Sequence, residues 1–104
     1  MQKQLTIQVT KRQAEDQLKD TEALRRLMDN PDFQRVIMEL YGREEAVRLV
    51  HAKADPAMIG AEQQAAVCRD MDSIGSLFGF FRGIEQKGIM AEKALMDDAA
   101  REAE

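Results

Sequence analysis

Ile74-Gly75-Ser76-Leu77-Phe78-Gly79-Phe80-Phe81-Arg82-Gly83 sets three glycines four residues apart in a stretch whose large side chains keep a helical rhythm. Glycine inside a helix costs about 1 kcal/mol relative to alanine. Three on one face are expected where another backbone approaches closely. At 100° per residue, Val67, Met71, Ile74, Phe78 and Phe81 form a broad apolar face, while Ala61, Ala65, Cys68, Gly75, Gly79 and Gly83 form a small-residue stripe about 140° from its centre. A helix with two such faces packs on two neighbours, either both in the same chain or one in a second subunit. The periodicity predicts this helix over about 61–87, with Gly88 ending or hinging it. A further helix follows at 89–102, with Ala91, Ala94, Leu95 and Ala99 on one side.

Upstream, Asn30-Pro31-Asp32 is a helix-start signal: Asn caps, Pro fits the first turn and Asp favours the positive end of the dipole. The helix it opens is predicted over 31–54, closed by Asp55-Pro56. Phe33, Val36, Ile37, Leu40, Val47 and Val50 stay in phase along it, across a Gly42 that either kinks it or interrupts it briefly. Before it, Ala14, Leu18, Thr21, Leu24 and Met28 step by three or four and predict an amphipathic helix over 11–29. Thr10 and Gln13 match a capping box at its start. Leu5, Ile7 and Val9 alternate with polar residues, which predicts a short extended segment at 4–9. Such a lone strand is a frayed terminus or a candidate strand-addition arm completed by another molecule.

The expected fold is therefore all-α, with three to four amphipathic helices in a hairpin or small bundle. At 104 residues a single domain (1–104) is expected, comprising an extended arm at 1–9 and an acidic helical tail at 88–104. Seven Met against five aromatic residues point to an adaptable core. Residues 1–54 hold 10 basic and 9 acidic side chains, whereas 55–104 hold 5 and 10. Without a basic cluster, direct nucleic-acid binding is disfavoured. The longest uncharged run near the glycines, Ser73–Phe81, is nine residues, against the roughly 18 that span a bilayer, so no membrane partner is expected. Met1–Thr10 lacks the apolar core and cleavage site of a signal peptide, and Cys68 is the only cysteine, which fits synthesis in a reducing compartment.

Catalytic, metal and cofactor sites are not expected. His51 is the only histidine, placed as a cation near a helix carboxyl end, and Cys68 has no histidine near it in sequence. Asp70 and Asp72 point about 200° apart on a helix and cannot chelate one ion together. Glu44, Glu45 and Arg48 read as helix-surface charges. With no nucleophile–base pair or ligand set, the chain is read as a non-enzyme. Its candidate interface residues are Gly75, Gly79, Gly83, Ala61, Ala65, Phe78, Phe80 and Phe81, with Leu5, Ile7 and Val9 for the arm.

Five strings, Asn30-Pro31-Asp32-Phe33, Glu45-Ala46-Val47-Arg48-Leu49-Val50, Ala54-Asp55-Pro56-Ala57-Met58, Arg69-Asp70-Met71-Asp72-Ser73-Ile74-Gly75 and Phe80-Phe81-Arg82, carry a resemblance over roughly residues 10–96. They resemble small all-helical proteins of tailed bacteriophages encoded among virion and head-assembly genes. Gly79 and Gly83 depart from that pattern, standing where bulkier residues are expected. The resemblance implies a virion-associated or head-assembly role in the host cytoplasm or the virion. It brings no catalytic residues; the glycine-bearing helix surface and the N-terminal arm add further copies of the chain and a portal, capsid or tail component as the expected partners. Two alternatives remain open from the residues: a small acidic inhibitor or adaptor binding a basic surface of a host enzyme, and a transient assembly chaperone or scaffold.

Overall fold

The structure, a computed structural model, describes residues 2–103, with side chains from Lys11 to Ala103. Among these residues every regular element is helical and no strand occurs. α1 spans Gln2–Met28. This corrects the extended segment expected at 4–9: Leu5, Ile7 and Val9 lie in helix, and Thr10 is inside α1 rather than at its start. Neither Gly nor Pro interrupts residues 2–28. Once a helical nucleus exists, each added residue gains a backbone hydrogen bond, whereas a lone strand gains none. The side chains of the proposed arm lie outside the described residues. Farther along α1 the predicted face is the buried one: Ala14, Thr21 and Leu24 are buried, and Leu18 and Met28 half-buried.

Asn30 turns the chain into the next helix as its sequence dictates. With an extended backbone (ψ 122°), its Oδ1 accepts from the N–H groups of Asp32 at 2.9 Å and Phe33 at 3.2 Å. Gln34 Nε2 donates to the Met28 carbonyl at 2.6 Å, satisfying one of the acceptors left open at the end of α1. α2 (Pro31–Phe33) leads into a π-helix, Gln34–Glu45, and then α3, Ala46–Ala54. The chain is thus helical through Gly42, with no break there.

The wider π turn changes which residues face inward. Phe33, Ile37, Tyr41, Glu45 and Leu49 recur every four residues, a repeat that an α-helix would rotate by about 40° per step. The i→i+5 turn advances less per residue and keeps this row on the packed side, where Leu49 is buried and the others half-buried. The predicted face fails here: Phe33 and Ile37 remain partly covered, but Val36, Leu40, Val47 and Val50 are 53, 39, 51 and 55 % exposed.

After α3, Asp55 accepts from the Ala57 N–H at 2.9 Å and starts a 3₁₀ turn, Pro56–Met58. α4 then runs as one 42-residue helix, Ala61–Glu102. This corrects the expected pair 61–87 and 89–102. Gly88 neither ends nor hinges the helix, and none of the described glycines has a positive φ.

The residues expected to make one domain divide into two compact units. In the unit Leu27–Phe80, Leu49, Val67 and Ile74 form the core, with Tyr41, Met58, Met71 and Phe78 packed against it. Burying Leu49 contributes about 1.5–3 kcal/mol. Gln64 Nε2 lies 3.0 Å from the Lys53 carbonyl and 2.6 Å from that of Met58, donating to both and fastening the 55–60 connection to the start of α4. The other unit joins the residues up to Arg26 with those from Phe81 onward. Here buried Ala14, Thr21 and Leu24 are matched by buried Gly88 and Ala91.

Candidate functional site

The glycines sort into two kinds once their surroundings are known. A Cβ added to Gly42 would fall 2.5 Å from Phe78 Cζ and 2.8 Å from Cε2, so the aromatic ring occupies the space that any other residue would fill. A Cβ on Gly88 would fall 2.8 Å from both Cβ and Cγ2 of Thr21. Thr21 is fully buried, and its hydroxyl has the Gln17 carbonyl at 2.9 Å and the Ile84 carbonyl at 3.2 Å. Its single proton is shared between an acceptor on its own helix and one on α4. Gly88 is therefore where two helices meet at backbone distance.

The predicted stripe behaves differently. No heavy atom lies within 4 Å of a Cβ added at Gly75 or Gly83. Ala61, Ala65 and Gly75 are exposed, and Gly79 and Gly83 half-buried. Of the apolar candidates beside it, Phe78 packs in the core, Phe81 is half-buried and Phe80 is 66 % exposed. The helix is continuous through the stripe positions, and no close neighbour in the chain stands at Gly75 or Gly83. The close approach that glycine permits is used instead at Gly42 and Gly88. A signal for the second was present: Ile84, Gly88, Ala91 and Leu95 are spaced as one face of an uninterrupted helix.

Within the unit Leu27–Phe80 an open cleft of about 490 Å³ lies against α4, walled by Val36, Leu40, Tyr41, Leu49 and Ile74. Its polar lining is Glu45, Asp70 and Ser73. Glu45 is engaged by Arg48, which donates from Nε at 3.0 and 3.1 Å and from Nη2. This pairing holds the Glu45 carboxyl below its ordinary range and, reciprocally, raises the Arg48 guanidinium, with the charge of Asp70 adding to the latter. Ser73 Oγ donates to the Arg69 carbonyl at 2.9 Å. The cleft therefore offers mainly apolar surface, with its serine and one of its carboxylates already engaged. Sequence reasoning missed it because it assigned Val36 and Leu40 to the buried face.

Among the described residues no three His, Cys, Asp or Glu side chains gather to hold a metal ion. His51 is exposed and Cys68 half-buried. No helix of the described residues is long and apolar enough to cross a membrane. Comparison with protein-family models, with curated proteins and with solved structures gave no match.

Proposed function

We propose that the protein is a non-enzymatic assembly protein, one that self-associates through its helices and docks on a portal, capsid or tail component of a tailed phage. One observation carries the association half of this reading. Val36, Leu40, Val47 and Val50 are large apolar side chains on one helical segment, yet each is more than a third exposed. Single exposed apolar residues are ordinary, but four within fifteen residues are what a contact surface supplies. The open space at Gly75, in the unit Leu27–Phe80, adds a second place where a helix backbone could come close. The phage partner rests on the resemblance of the five strings and on nothing geometric.

Mass photometry of the wild type and of Val47→Asp tests association: oligomers are expected in the first and monomers in the second. A wild type that stays monomeric at tens of micromolar would remove this half of the proposal. Mass spectrometry of purified particles and of empty precursor heads tests the other half. Presence in finished particles supports a virion role, and presence in precursors alone a transient scaffold. Absence from both, with salt-sensitive capture of a host enzyme, would favour the acidic inhibitor instead.

A further inference from the structure

We draw no further inference here: the strongest candidate, the open apolar cleft of the unit Leu27–Phe80 walled by Val36, Leu40, Tyr41, Leu49 and Ile74, carries nothing further, because nothing in the structure shows what covers it.

Discussion

Gly42 and Gly88 differ from Gly75 and Gly83 in what stands opposite them, although all four lie within helices. The first two are occupied sites: an aromatic ring or a threonine fills the volume a side chain would need. The second two face open space within the chain. Helical spacing alone therefore does not distinguish a glycine that completes a packed joint from one that leaves a flank bare. The partner on the other helix does, and sequence spacing does not name it.

The largest separation between the two kinds should come from Gly88→Ala. Thr21 presents its own Cβ and Cγ2, which cannot swing aside without moving α1, so overpacking should cost about 1–3 kcal/mol. Gly42→Ala meets the far end of the Phe78 ring, which can tilt, and a gain in helix preference of about 1 kcal/mol offsets part of the strain. Urea denaturation of both variants, read together with amide exchange in α1 and α3, checks the order. Equal effects would mean that the reach of the opposing side chain is not what matters.

Next in size, and opposite in sign, are Gly75→Ala and Gly83→Ala. With nothing to collide with, each should stabilise the chain by roughly 0.5–1 kcal/mol, because alanine is the better helix former and restricts the unfolded state. A loss of stability at either position would show that the flank is covered in solution, and a loss confined to high protein concentration would place a second copy on it.

Smallest is the Glu45–Arg48 pair, which is partly exposed on both sides, at 35 and 62 %. The Glu45 carboxyl is depressed in the folded state by the Arg48 hydrogen bonds. Its contribution is therefore present above the unfolded-state pKa and is lost as the pH falls through the folded value. An NMR titration should find the Glu45 midpoint below the ordinary range, returning to it in Arg48→Gln. A midpoint unchanged by that substitution would assign the depression to another cause.

Much of the fold was legible in local patterns. The buried face of α1 follows from Ala14, Leu18, Thr21, Leu24 and Met28, and the turn at Asn30-Pro31-Asp32 follows from capping chemistry. The extended arm at 4–9 was misread because three alternating residues weigh less than an unbroken run into an established helix. The face of 33–50 was misread because the 100° phase does not hold through a π-helix. Gly88 was read as an end or a hinge because a glycine's usual role there looks the same in sequence as one that admits a partner. At the candidate interface the stripe's position on α4 was readable, but its lack of a close neighbour at Gly75 and Gly83 was not.

The Gln64 clasp on the Lys53 and Met58 carbonyls also bears on the order of assembly. It closes a connection of a few residues, so the unit Leu27–Phe80 forms from segments near in sequence, whereas the Thr21–Ile84 contact must span 63 residues. Short closures are entropically cheaper and faster. Refolding should therefore protect amides around Leu49 and Val67 before those around Thr21, a sequence that pulse-labelled exchange would show directly. A chain emerging from the ribosome would then hold α1 waiting until more than half of α4 has been made.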